Sequence, residues 1–289
     1  MPVSRTSAQV LAVALACLLF AGRAWGDAPP EATRVRILLI IDTHGLNADA
    51  NGFAADKDSM KKVIKEAMRD QNLEDRYTLD ILHGADATPA RVLAYYRGLK
   101  VALTDALLCY YSGHGGAHKG GGHFLELKAG RLQRDELRKA MEGKRPRLVV
   151  LLSDCCADYG DVPLSRILLA DDGKMDAGKK KRDPGARQNT LRSPRGETLR
   201  HLLFHGRGVV DITACDLGKV AFSSRRRGGY FTLTLVNLLR TDSDRFEADG
   251  DGVVGWGTFF ATLRETTRRY ARNGTYTQTP RAFALGGAP

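Results

Sequence analysis

Ala106-Leu107-Leu108-Cys109-Tyr110-Tyr111-Ser112-Gly113-His114-Gly115 and Leu148-Val149-Val150-Leu151-Leu152-Ser153-Asp154-Cys155-Cys156 are two apolar runs that each break into small and reactive residues. Continuous apolar runs of this length, without polar alternation, suit strands covered on both faces. Sites in parallel sheets form beyond the carboxyl ends of their strands. A histidine just past one strand and a thiol just past the next are what a cysteine nucleophile with a nearby base requires. A lone histidine in a Gly-rich loop is ordinarily solvated, and a lone buried cysteine, as expected of Cys109, is ordinarily packing. Both residues sit inside multi-residue blocks at consecutive strand ends, and this favours a shared site.

Outward from these runs, strand and helix signals alternate. Val35 to Ile41 reads as a buried strand, and a helix opening near Asp56 carries Met60, Val63, Ile64, Ala67 and Met68 at helical spacing. Tyr77 to Leu82 is a second strand. Thr88-Pro89 is a cap followed by proline at the first helical position, with Val92, Leu93 and Tyr96 inward. A helix over Gln133 to Met141, a strand over Gly208 to Ala214, and helices over Phe231 to Leu239 and Thr258 to Tyr270 complete the series. This order predicts an α/β domain with a mostly parallel sheet and helices on both faces, because parallel neighbours need crossover connections. From Asp161 to about Thr198 periodicity gives way to Gly, Lys, Asp, Arg and Pro, which reads as a long loop or linker.

The N-terminus is read separately. Arg5, the apolar stretch Val10 to Ala21, and Ala24-Trp25-Gly26 have the layout of a secretory signal peptide over residues 1–26. The stretch is shorter than the roughly 20 residues a bilayer span needs, so no retained membrane span is expected. The remaining 263 residues are read as one domain, secreted or periplasmic, and the formal charge falls from +11 to +9 because Arg5 and Arg23 leave with the leader. The excess sits in runs such as Lys179-Lys180-Lys181-Arg182 and Arg225-Arg226-Arg227. No aromatic residues interleave with these runs, so nucleic acid is excluded as a partner. Four cysteines outside the leader are too few for a disulfide scaffold.

The blocks Tyr111-Ser112-Gly113-His114-Gly115 and Asp154-Cys155-Cys156 resemble those of the caspase-like peptidases, in particular metacaspases and their bacterial relatives. Gly52-Phe53-Ala54-Ala55-Asp56 and Gly229-Tyr230-Phe231-Thr232 extend the likeness across about Val35 to Pro280. The resemblance implies a three-layer α/β/α caspase-like sandwich with a mostly parallel six-stranded sheet. It also implies a large-subunit-like part over about 33–160, a basic loop over about 161–198 and a small-subunit-like part over about 199–283. Catalysis would fall to His114 and Cys156, the second of the paired cysteines, with Gly115 and Cys156 supplying oxyanion N–H groups. Asp56, Ser112 and Asp154 would form a substrate-binding pocket for Arg or Lys, a guanidinium being well matched by two carboxylates. Animal caspases, which cut after aspartate, use an arginine where this chain has Ala50.

Two features depart from the pattern. Cys156-Ala157-Asp158-Tyr159-Gly160 replaces the family's Cys-x-Ser-Gly, which leaves room for a silent relative that binds basic peptides. Of the acidic cluster of calcium-activated metacaspases, only Asp135 and Glu136 remain, and Asp249 to Val254 lacks the closing glutamate of a calcium loop. No cofactor and no metal ligand are therefore assigned, and His118 and His123, flanking Gly120-Gly121-Gly122, are read as loop residues. The basic run Lys179 to Arg182 is a candidate self-processing site.

Overall fold

In the computed structural model, the described residues are 31–43, 48–120, 122–159, 167–169, 196–224, 226–241, 243–246, 254–272 and 277–287. The leader, the basic run at 179–182, and the acidic stretch as far as residue 253 lie outside them. The elements are β1 Val35–Ile41, α1 Ala48–Asp70, β2 Tyr77–His83, α2 Pro89–Gly98, β3 Ala106–Ser112 and β4 Gly115–His118. There follow β5 Gly122–Leu127, β6 Gly130–Gln133, α3 Arg134–Glu142, β7 Leu148–Asp154, β8 Ile167–Leu169, and α4 Glu197–Arg200 running into a π-helical turn at His201–His205. The chain closes with β9 Arg207–Thr213, β10 Phe222–Ser224, β11 Gly228–Gly229, α5 Tyr230–Leu239, α6 Trp256–Ala271 and β12 Arg281–Gly287.

Six strands form the central sheet in the order β12-β9-β7-β3-β1-β2. Five run parallel, and β12 joins β9 antiparallel at the edge. The central strands β1, β3 and β7 are apolar at nearly every position because helices cover both faces. Strand residues point alternately to the two faces, and here the alternation sorts the core. Ala106, Leu108 and Tyr110 of β3 and Leu148, Val150 and Leu152 of β7 pack with α1, α5 and α6 through Phe53, Met60, Ile64, Phe231, Leu235 and Phe259. Leu107, Cys109 and Tyr111, with Val149 and Leu151, pack instead with α2 and α3 through Val92, Tyr96, Leu137 and Met141. The α2 start is as read: Thr88 accepts the Arg91 amide at 3.2 Å and Pro89 occupies the first turn.

The stretch after His114 is not a loop. β4, β5 and β6 make a separate three-stranded antiparallel sheet, so His118 ends one strand and His123 lies inside the next. Where β4 turns into β5, Gly120 has φ +80° and Gly122 φ +82°, a region where other residues are strained. The linker read over Asp161 to Thr198 is likewise cut short: Ile167–Leu169 pairs with β10, and α4 begins at Glu197. No helix among the described residues is long and apolar enough to cross a membrane.

Candidate active site

β3 and β7 are parallel neighbours with Ser112 opposite Asp154, so His114 and Cys156 emerge side by side from adjacent strand ends. Both continue the even-numbered alternation of their strands. The His114 ring meets Phe53 of α1 edge-on at 5.2 Å, and Cys156 belongs to the same cluster as Phe53 and Phe231. They therefore share the α1/α5 face of the sheet. His114 is partly exposed, with Nδ1 buried and without a hydrogen-bond partner, whereas Cys156 is 0% exposed and its Sγ accepts the Ala221 amide at 3.3 Å.

The histidine block is held by its neighbours. Tyr111 donates its hydroxyl to the carbonyls of His114 (2.6 Å) and Glu126 (2.7 Å), fixing the turn that carries the imidazole. The Glu126 amide donates to His114 O at 3.0 Å, which makes Gly115 and Leu125 a non-hydrogen-bonded pair of the β4–β5 ladder. The Gly115 N–H thus points away from β5, as an oxyanion donor must. Glycine is needed at 115 because a Cβ there would lie 2.8 Å from Cys155 Sγ and 2.9 Å from the Cys156 carbonyl. Close packing against the cysteine strand, rather than approach to a substrate, dictates that residue.

Asp56, Ser112 and Asp154 are each 0% exposed and converge on the N-terminus of α5. Ser112 Oγ donates to Asp56 Oδ2 at 2.7 Å, and the Gly229 amide donates to Asp56 Oδ1 at 2.8 Å. Asp154 Oδ2 accepts the Thr232 amide at 3.1 Å and its hydroxyl at 2.6 Å, while Tyr110 Oη lies 2.5 Å from that hydroxyl. Both carboxylates therefore cap α5, where unpaired amides and the helix dipole favour negative charge.

A second cysteine–histidine pair lies on the opposite face, and it is one that reading the sequence missed. Cys155 Sγ is 3.3 Å from His123 Nε2, which also sits 3.0 Å from the Cys156 carbonyl. A carbonyl only accepts, so Nε2 carries the hydrogen and has no lone pair for the Cys155 proton. Burial pushes the Cys155 thiol up to about 12 despite the nearby Arg134 guanidinium. Burial, reinforced by Arg134, pulls His123 down to about 3. Arg134 is itself fixed by Asp211 at 2.6 Å. This is a neutral, enclosed pair. The only signal for it in the sequence was strand alternation carried past Asp154, which sends adjacent cysteines to opposite faces.

Among the described residues, no group of three or more His, Cys, Asp or Glu side chains is arranged to hold a metal. Asp135 is engaged by Lys139 at 2.6 Å and by Arg138.

No curated protein sequence matches this chain significantly. A solved structure with the same fold is that of caspase-1 from Spodoptera frugiperda, 13% identical, with a TM-score of 0.56 over 89% of this chain and 88% of that one. The sequence model of the caspase domain matches residues 35–284, nearly the whole of the described fold. With the six-stranded, mostly parallel sheet and the histidine and cysteine blocks at adjacent strand ends, that match assigns the chain to the caspase-domain family of cysteine peptidases.

Proposed function

We propose that this protein is an exported endopeptidase that cleaves after Arg or Lys, with Cys156 as nucleophile and His114 as its acid–base partner. Cys156 Sγ attacks the scissile carbonyl, the N–H groups of Gly115 and Cys156 receive the oxyanion, and His114 gives a proton to the leaving amine. Water activated by His114 then releases the acyl group. The observation that carries this reading is the convergence of Asp56, Ser112 and Asp154 on the face shared by His114 and Cys156. Two carboxylates there suit a cationic side chain.

The thiol is enclosed and the carboxylates hold the start of α5, so this arrangement is read as a closed precursor. Cutting at Lys179 to Arg182 is the proposed release, and replacing all four residues should abolish processing there. Residues 1–26 are taken as the export leader, and no metal is assigned to catalysis.

The 3.3 Å contact of Cys155 with His123 favours a second reading in which these two form the dyad. Hydrolysis of matched peptides ending in Arg, Lys or Asp decides between them, using residues 27–289 under reducing conditions, with and without calcium. The first reading expects cleavage after Arg and Lys that Cys156→Ala abolishes and Cys155→Ala spares, and the reverse pattern establishes the second. No cleavage by the processed protein, with retained binding of basic peptides, identifies a silent binding domain.

A further inference from the structure

We propose that Tyr159 is the platform for the residue that follows the cleaved bond, and that it selects an aromatic or large aliphatic side chain there. The inference rests on the reading of His114 and Cys156 as the dyad. Three large hydrophobic side chains are well exposed among the described residues: Leu103 at 65%, Phe283 at 45% and Tyr159 at 44%. Leu103 precedes β3, at the end of the sheet away from the site. Phe283 is covered by the guanidinium of Arg281 at 4.9 Å and faced by that of Arg134 at 5.8 Å. Tyr159 stands three residues after the proposed nucleophile and is nearly half exposed beside it.

Its backbone is nonetheless tightly held. Tyr159 forms a parallel bridge with Ala117 of β4, whose amide donates to Asp158 O at 2.8 Å. On the other side the Gly218 amide donates to Ala157 O at 2.7 Å, and the Ala157 amide donates to Lys219 O at 3.0 Å. The ring lies on the turn at Gly218, where φ is +75° and a Cβ would come within 2.7 Å of the ring. Two residues beyond that turn's Lys219, Ala221 donates its amide to Cys156 Sγ. An exposed aromatic fixed by the same segments that fix the thiol presents contact area at little entropic cost, as binding anchors do.

The side of the cleft follows from connectivity. Asp56, Ser112 and Asp154, at the start of α5, hold the acyl part of the substrate. The leaving amine departs toward the imidazole that protonates it, and β4 runs directly on from His114 to the Ala117–Tyr159 bridge. Tyr159 thus borders the path of the leaving chain, and ring stacking against an apolar side chain gives selectivity of about tenfold.

The test uses peptides with Arg before the cut and Phe, Leu or Gly after it. Wild-type protein should cleave the Phe and Leu peptides about tenfold faster than the Gly peptide, by kcat/KM. Tyr159→Ala should bring the Phe and Leu peptides down to the kcat/KM of the Gly peptide, and Tyr159→Phe should keep the preference. Equal slowing of all three by Tyr159→Ala, or an unchanged preference, overturns the proposal. Binding of the same peptides to Cys156→Ala gives a second readout that needs no turnover: a tighter Phe peptide, equalised by adding Tyr159→Ala, upholds the platform, and equal affinities overturn it. Failure of every peptide to be cleaved by processed wild type, with the binding preference intact, rejects the peptidase reading alone.

Discussion

Asp56 Oδ1 accepts the Gly229 amide at 2.8 Å, joining positions 173 residues apart. The carboxylate proposed for substrate binding is also the group that seats the start of α5. Asp56→Ala removes the acceptor of the Ser112 hydroxyl and of the Gly229 amide in a buried site, a cost of about 3 kcal/mol. Asp56→Asn keeps an acceptor for Gly229 and removes the charge. Urea denaturation should find the alanine variant strongly destabilised and the asparagine variant close to wild type. Peptides ending in Arg should be cleaved about 10–100-fold more slowly by Asp56→Asn.

Gly228 and Gly120 have nearly the same backbone, φ +86° and +80°, in different surroundings. A Cβ at 228 would lie 1.9 Å from Asp56 Oδ1, whereas at 120 nothing lies within 4 Å. Gly120→Ala should cost only left-handed strain, about 1 kcal/mol, and leave activity unchanged. Gly228→Ala should cost about 3 kcal/mol or more and abolish hydrolysis, because the β10–β11 turn must move off the carboxylate. Thermal unfolding and a single peptide assay on both variants check this.

His123 sets a pH dependence. Its imidazole is neutral when folded, at about 3 against 6.5 when exposed, so the unfolded chain binds the extra proton between those values. The stability due to this group is complete above pH 6.5 and is lost as pH falls toward 3, at about 1.4 kcal/mol per unit. His123→Gln removes the titration, and the difference between wild type and variant in denaturation midpoint should shrink steadily from pH 7 to pH 4. A constant difference would mean that His123 takes up its proton as readily in the folded protein as in the unfolded chain.

The two adjacent thiols should behave differently toward alkylation. Cys155, neutral up to about pH 12, should resist iodoacetamide at pH 8 in the folded protein. A basic peptide electrophile should label Cys156 once the 161–198 segment has been cut. Mass spectrometry of the labelled peptide separates the two, and Cys155→Ala should leave the labelling intact while costing about 1–2 kcal/mol from the cavity it creates.

Much of this arrangement was legible because buried strands announce themselves. β1, β3 and β7 begin where the apolar runs begin, and the Ser112–Asp154 register follows from aligning their ends. The antiparallel edge strand was not legible. Arg281-Ala282-Phe283-Ala284-Leu285-Gly286-Gly287 has two glycines and little β-branched character, and β9 rather than local preference makes it a strand. The β4–β6 sheet hid for a similar reason, since Gly115 and Gly116 read as loop although close approach to Cys155 and Phe124 demands them. Asp56 and Ser112 were reached through resemblance. Their 2.7 Å hydrogen bond across 56 residues has no periodic trace in the chain. The roles of Gly229 as partner of Asp56 and of Thr232 as partner of Asp154 emerge only when α5 is set against α1 and the end of β7.

Alternation at the end of β7 gives the neighbouring cysteines unrelated lives: one looks into an enclosed cluster, the other toward the cleft. Gain of a single residue within Leu148–Asp154 would advance the frame by one position and bring Cys155 to the place and face that Cys156 holds. A doubled cysteine is thus a local hedge in reading frame: after such a slip a sulfur would still stand beside His114. Asp154, however, would turn to the other face and leave the Thr232 amide of α5 uncapped, so a chain carrying the insertion would keep a thiol beside His114 and lose one carboxylate of the proposed pocket.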